Sequence, residues 1–506
     1  MRTPIWIILL SLPVWVQAQA TKKATDADKK SEKEYKNRVL ENTEIDLLTS
    51  LYGQDGNNAS VTGGIGSEKL ADFATDINVS IPLNDDDVLT IDATISAYTS
   101  ASSSNLNPFS SVTTYSYGTV VSGASRSGGG RTRGPVGTQP ESSTTVVRGS
   151  PWVAASGASR GDVWYSGGLN YSHSSDDRNK IYSGHLNVSK EFDYSSFGAG
   201  LGFVRQFNQK NTELGIQGSV YLDKWFPQFP TEIKTYHQTG GDLNAGFFTG
   251  VDILDQSGTI ISKSSAAIWH PSNTSLIDNT NRNTYSLSLS FSQILSKRSQ
   301  FSIFSDLVLQ RGWLANPMQR VYFSDVSNYY IGVASNIPNY TSPLNTGVFQ
   351  LADDIERLPE SRLKIPVGLR YHYYVNEYLV VKSYYRYYYD DWGIQSHTVN
   401  LELPIKLGSK FTLYPNYRFY TQTAANYFAP YEQHLSTDTY YTSDYDLSAF
   451  NANQYGIGIK YTDIFLKSHV GVLGIKSISL DYNYYQRNTG LHAQIISFGI
   501  KFVTDR

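Results

Sequence analysis

From about residue 44 onward, apolar and polar side chains alternate with a period of two. The pattern is clearest between Arg362 and Tyr374. There Leu363, Ile365, Val367, Leu369, Tyr371 and Tyr373 occupy one set of positions, and Arg362, Lys364, Gly368, Arg370 and His372 the other. Successive side chains of a strand point to opposite faces, so such a segment has one apolar face that ends in tyrosine and one polar, basic face. The same reading applies to Leu379–Tyr389, Val399–Leu407 and Phe411–Phe419. In the N-terminal half, Phe73, Ile77, Val79 and Ile81 alternate with Asp72, Asp76, Asn78 and Ser80, and Tyr285, Leu287, Leu289 and Phe291 with serines. The last segment repeats it, with Ile496, Phe498, Ile500 and Phe502 against Ser497, Gly499 and Lys501.

Tyrosines gathered at the ends of apolar faces match the aromatic girdles of a membrane-spanning barrel better than the core of a soluble sandwich. The connections agree. Short turns at 84–87, 174–179, 208–211, 296–299, 375–377 and 407–410 alternate with long segments at about 101–159, 225–282, 313–360 and 423–451. Outer-membrane barrels have short periplasmic turns and long extracellular loops. Counted from a first strand at Glu44, the pattern predicts an all-β fold: a single transmembrane antiparallel β-barrel of about 16 strands (range about 14–16) over 44–506. Every long loop then falls on one side. The connection at about 463–474 is long for a periplasmic turn.

The first twenty residues set the compartment. Arg2, an apolar stretch from Ile5 to Val16 and Ala18-Gln19-Ala20 read as a secretory signal peptide over 1–20. A charged tail over 21–43, with Lys22, Lys23, Lys29, Lys30, Glu32 and Glu34, reads as a solvated periplasmic segment. These features predict the outer membrane of a Gram-negative bacterium. No apolar run reaches the roughly 18 residues of a membrane helix. The 506 residues contain no cysteine, which excludes disulfide staples and thiolate metal sites. A formal net charge of -3 argues against a nucleic-acid partner.

Several stretches resemble the outer-membrane family catalogued as domain of unknown function 3570. They are Val39-Leu40-Glu41, Thr43-Glu44-Ile45-Asp46, Gln54-Asp55-Gly56-Asn57-Asn58 and Val61-Thr62-Gly63-Gly64-Ile65-Gly66. In the second half they are Tyr385 to Gly393, Ser396-His397-Thr398, Tyr417-Arg418-Phe419-Tyr420, Ala424-Ala425-Asn426-Tyr427 and Tyr440 to Tyr445. The resemblance covers most of the chain from about residue 39 and implies an outer-membrane location. It brings no established activity. Members are often encoded near a small lipoprotein and a flavin transferase, which points to a lipoprotein or redox partner and carries no residue across.

Candidate chemistry is sparse. Gly157-Ala158-Ser159-Arg160-Gly161 matches G-x-S-x-G, but that motif needs a strand-to-helix turn. Here it follows a Gly/Ser-rich loop and precedes a predicted strand, so a loop is the better reading. The nine histidines show no metal-ligand spacing; His372 and His397 read as wall or rim residues. Asp85-Asp86-Asp87 and Asp176-Asp177 read as solvated turn acids, since a calcium cage needs several spaced oxygens. No catalytic, metal or cofactor site is predicted. Trp152, Trp225, Trp269, Trp313 and Trp392 lie in loops or at rims, where they could stack on sugars or pack the loops; packing is the better reading.

The lumen face is more informative. Alternation aims Lys364, Arg370, Lys382, Arg386, Lys406, Arg418, Lys460, Arg487 and Lys501 inward in the C-terminal half, against only Glu402 and Asp481. In the N-terminal half it aims Asp72, Asp76, Asp92, Glu213, Asp223 and Asp306 inward. Two functional readings follow. One is a channel for small polar or charged solutes, its lumen crossed by a field between a basic and an acidic wall. The other is a non-conducting barrel that scaffolds an envelope complex with a lipoprotein or redox partner. Outer-membrane lipid and the barrel-assembly machinery are expected partners in both.

Overall fold

The computed structural model describes residues 38–99, 111–114, 144–147, 150–152, 162–272 and 274–504. The predicted signal peptide, all but the end of the charged tail, the G-x-S-x-G segment and most of the 101–159 loop lie outside the described residues.

Sixteen strands form one closed antiparallel barrel. They are β1 (Glu44–Asp55), β2 (Leu70–Pro82), β3 (Asp87–Tyr98), β4 (Asp162–Ser174), β5 (Lys180–Lys190), β6 (Tyr194–Phe207), β7 (Thr212–Trp225) and β8 (Thr280–Ser296). The second half comprises β9 (Ser299–Gly312), β10 (Ser361–Tyr374), β11 (Val380–Asp390), β12 (Gln395–Glu402, continued by Ile405–Leu407 after Pro404), β13 (Phe411–Gln422), β14 (Phe450–Thr462), β15 (Leu473–Arg487) and β16 (His492–Thr504). Each strand pairs with its chain neighbours, and β1 pairs with β16 from Glu44 opposite Val503 to Asp55 opposite His492. No edge is left, as a lipid environment demands. The long connection at 463–472 is indeed a turn at the short-turn end, stiffened by a two-residue ladder, His469–Val470 against Leu473 and Gly474.

Register fixes which side chains share a face. Leu401 lies opposite Ser383 and Tyr417, and Leu287 opposite Leu307 and Gly218. Phe73, Ile77, Leu289, Leu369, Leu401 and Phe498 are all at least 40% exposed, an apolar outer surface suited to lipid. Leu401→Arg is therefore expected to destabilise the barrel by roughly 2–4 kcal/mol if that site lies near the bilayer midplane. Lys406→Ala, on the other face of the same strand, should be tolerated. Equal heat resistance of the two variants on a gel that separates folded from unfolded barrels would remove β12 from the lipid surface.

The long loops are not loose. Phe229, Ile233, Leu243, Phe248, Ile253 and Trp269 from the loop after β7 share one buried core with Tyr322, Ile331, Phe349, Leu351, Ala352 and Ile355 from the loop after β9. Tyr431 from the loop after β13 packs on it. Helix α1 (Thr231–Gln238) starts just after Pro230, carries Glu232 in its first turn and His237 in its last, and buries Ile233. A three-stranded sheet of Ile253–Leu254, Tyr330–Gly332 and Val348–Gln350 spans the same two loops. These loops form a folded cap at the long-loop end of the barrel.

The cap is seated on the short loop between β1 and β2. Val61 and Ala59 pack against Met318, and Arg320 Nη1 donates to the Val61 carbonyl at 2.9 Å. Gly64 and Gly66 have φ of 89° and 104°. A Cβ on Gly64 would stand 2.8 Å from the Ser443 carbonyl oxygen, and one on Gly66 2.2 Å from that of Pro151. Only glycine allows both that backbone and that approach.

Candidate functional site in the barrel lumen

Register places every residue of the two predicted walls on the face opposite the lipid-facing leucines. What holds them differs from a simple pair of facing walls. Several bases find an acid close by. Lys382 bonds Glu402 on the adjacent strand at 2.9 Å. Arg487 reaches Asp446 of the cap at 2.6 Å. Lys501 bridges Glu44 at 2.6 Å and Asp46 at 3.0 Å across the β1–β16 seam, where Lys476 also meets Glu44 at 2.6 Å. Glu44 and Asp46 were missing from the predicted acidic wall, although their even positions in β1 share the parity of Asp72 and Asp76 once β1 and β2 are paired.

The acids of the first half meet mostly neutral neighbours; Asp223 alone of the six lies opposite a base, Arg282, in the ladder. Ser96 donates to Asp72 and Thr94 to Asp76, both at 2.6 Å. Gln206 donates to Glu213 at 2.9 Å. Asp92 lies over Gly168, and Asp223 presents a buried Oδ1 with no hydrogen-bond partner. Asp306 faces Ser288 across the ladder. Lys460 lies between Thr412 and Ser479, and Lys406 opposite Thr412. In a ring of sixteen strands β3 is eight steps from β11, so carboxylates and arginines face each other across the lumen.

The turn after β11 joins barrel and cap. Asp390, fully buried, accepts from Arg362 Nε at 2.9 Å, from the Tyr388 hydroxyl at 2.8 Å and from the amides of Trp392 and Ile394 at 3.1 and 2.9 Å. The Arg362 guanidinium lies 4.3 Å from the Trp392 ring centroid. Asn426 N–H donates to the Trp392 carbonyl at 2.8 Å. The Asp-Asp-Trp-Gly stretch is thus a joint, and its residues serve structure.

The tryptophans likewise serve packing. Trp269 is 1% exposed and donates to the Ala352 carbonyl at 2.9 Å, Trp392 to the Ser361 carbonyl at 3.0 Å and Trp152 to the Tyr340 carbonyl at 3.2 Å. The turn acids are engaged too: Asp85 pairs with Arg38 at 2.7 Å, Asp86 with Arg178 at 2.6 Å and Asp87 with His173 at 2.6 Å. Of the two wall histidines, His372 faces the lumen beside Lys382, whereas His397 faces outward and bonds the Tyr385 hydroxyl at 2.8 Å.

Charged recesses line the lumen, and two of them hold several of the predicted wall residues. The first, about 490 Å³, lies under the cap between Asp223, Arg282, Arg362 and Lys364 of the wall and Gln319, Glu356 and Asp444 of the loops. Glu356 accepts from the Asn316 amide at 2.6 Å; burial, followed by the nearby Asp444 carboxyl, pushes its pKa up to about 8. Burial raises Asp353 to about 7. The second recess, about 520 Å³, is lined by Arg370, His372, Lys382, Tyr384, Arg386, Asn400, Glu402, Arg418 and Gln454. Accessibility changes along the wall. Ser396, Thr398 and Ala452 near the cap are 1% exposed, whereas Leu48 is 46% exposed and the Lys382 side chain 44%. Among the described residues, the lumen is filled at the cap end and accessible toward the short-turn end.

The sequence profile of a family described as "Protein of unknown function (DUF3570)" matches residues 10–496. No curated protein matches the sequence. Among solved structures, the chain is similar to a "Bacterial polysaccharide outer membrane secretin", at 10% identity over 91% of this chain and 98% of that one, with a TM-score of 0.37. It is similar to a deltaS2S3 mutant of the TodX monoaromatic hydrocarbon channel, at 8% identity over 92% and 91%, with a TM-score of 0.37. It is similar to the siderophore receptor PirA from Pseudomonas aeruginosa, at 8% identity over 89% of this chain and 56% of that one, with a TM-score of 0.33. Likenesses at these scores bear on neither substrate nor mechanism.

Proposed function

The chain belongs to the DUF3570 family, and from its barrel and lumen we propose that it is a passive outer-membrane channel for small polar or charged solutes, covered on the outside by a folded cap. The observation that carries this reading is the second recess: a charged, water-accessible lumen within a sixteen-stranded barrel. A wall meant only to be filled would pair its charges and bury them. Here the cap buries the upper lumen, while the arginine-rich stretch below it stays accessible. Charged side chains lining such a passage set which ions it admits.

One observation favours a second reading, a non-conducting scaffold: the cap has its own core and buries the upper lumen. Current through the purified protein in a planar bilayer separates the two. The channel reading expects discrete openings whose frequency rises when the cap is weakened. A barrel that stays silent with the cap weakened, yet remains folded, supports the scaffold.

A further inference from the structure

The second recess is built in rungs. Arg370, Tyr384, Asn400, Arg418 and Gln454 lie directly opposite one another in successive strands, from β10 to β14. Arg386 stands one rung nearer the cap, between Gly368 and Thr398. The row from β10 to β13 is about 14 Å wide at ordinary strand spacing. Arg370 and Arg418 therefore flank a space that Arg386 overlooks.

Three facts give this space a defined chemistry. First, among the described residues none of the three arginines has an ion-pair partner, while the acids that line the space with them are taken: Glu402 by Lys382 at 2.9 Å and Asp446 by Arg487 at 2.6 Å. Second, Arg370 is held in place. Its guanidinium lies 4.7 Å from the Phe304 ring centroid and 5.9 Å from that of Tyr384. Phe304 fits there because residue 368 is glycine; a Cβ would stand 2.1 Å from the ring. Third, the Nε of Arg386 is buried without an acceptor, and a buried donor without a partner is unfavourable. Arginine keeps its charge at any physiological pH and presents a planar fork of donors. Between the arginines stand neutral hydrogen-bonding groups, the Tyr384 hydroxyl and the amides of Asn400 and Gln454.

We infer that this recess is a binding site for a tetrahedral oxyanion, a phosphate group free or on a small monoester. A halide offers no directional acceptors to guanidinium forks. A single carboxylate has two oxygens, and three arginines approaching from different strands suit an anion with acceptors on several sides. The inference deepens the channel reading by naming a solute class and rests on that reading only for how the solute arrives.

Isothermal titration of the purified full chain with inorganic phosphate, and separately with glycerol phosphate, tests it without measuring current. Saturable binding is expected for both, with chloride at the same concentration a poor competitor. Arg386→Gln with Arg418→Gln should weaken phosphate binding by at least about tenfold, and the corresponding lysine pair by less, because charge is kept but the fork is lost. Lys297→Gln, in the exposed turn between β8 and β9, should bind as the parent does. Folding of each variant is checked by heat resistance on a gel. Absent phosphate binding, equal displacement by chloride, or a folded glutamine pair that binds normally overturns the site. Binding by a barrel that carries no current keeps the site and removes the channel; current without phosphate binding does the reverse.

Discussion

Replacing Arg320 with methionine is expected to unfold the cap while the barrel stays closed. Arg320 and Glu232 are 2% and 3% exposed, and the guanidinium meets the carboxylate at 2.6 Å through Nε and at 3.1 Å through Nη2. The same guanidinium reaches the seating loop through the Val61 carbonyl and lies 5.0 Å from the Phe349 ring centroid. Methionine fills similar volume but leaves Glu232 a buried charge without its partner, at a cost of roughly 3–5 kcal/mol. The cap is smaller than the barrel and is joined to it by few ladders, so the loss falls on the cap. Limited proteolysis should then cut within 313–360, while the heat-resistant mobility of the barrel is unchanged. Arg320→Met with Glu232→Leu should recover most of the resistance, since replacing both partners removes the stranded charge. If Arg320→Met resists protease like the parent, the pair does not hold the cap.

The cap should also loosen as pH rises. Burial raises Glu356 from 4.5 to about 8 and Asp353 from 3.8 to about 7, and it raises Asp354 as well. A carboxyl whose folded pKa lies above its unfolded value binds more protons folded than unfolded between the two values, so stability falls with pH across that window. The contribution is fully present below about pH 4, begins to decline above it and is lost as pH passes about 7 and then about 8. For Glu356 alone the difference is on the order of 5 kcal/mol. Protection against hydrogen exchange in 313–360, taken relative to the intrinsic rate at each pH, should be greater at pH 5 than at pH 8.5. Glu356→Gln, which cannot ionise, should flatten that dependence. Equal protection at both pH values would mean that ionisation of Glu356 does not destabilise the cap.

The sixteen strands were legible because lipid and lumen impose opposite demands on alternate residues, and Leu363 to Tyr373 record one demand while Lys364 to His372 record the other. The face of each wall residue followed from the same parity. Its partners did not. Lys382 with Glu402 depends on the register of one hairpin, Lys501 with Asp46 on closure between chain ends, and Arg487 with Asp446 on where a loop folds. The cap escaped for a related reason. Its core joins Phe248 and Trp269 to Phe349 and Leu351, segments with no shared period. One local sign was present: Arg320-Val321-Tyr322-Phe323 and Val348-Phe349-Gln350-Leu351 are too apolar for loops in water. The tyrosines at strand ends were legible as a girdle, whereas Trp269 and Trp392, buried outside the strands, could be placed only by folding the loops around them.

The seam between β1 and β16 has a consequence for the order of events in the cell. Lys501 and Asp46 are 455 residues apart, so the first strand made must wait, unpaired along one side, until the last has been translocated. Contacts between such distant residues are slow to form. The carboxylates of Glu44 and Asp46 facing Lys476 and Lys501 give that waiting edge a charge its proper partner matches and a neighbouring barrel's apolar edge would not. Removing these charges should therefore show itself less in the melting of finished barrels than in the fraction of new chains that close correctly.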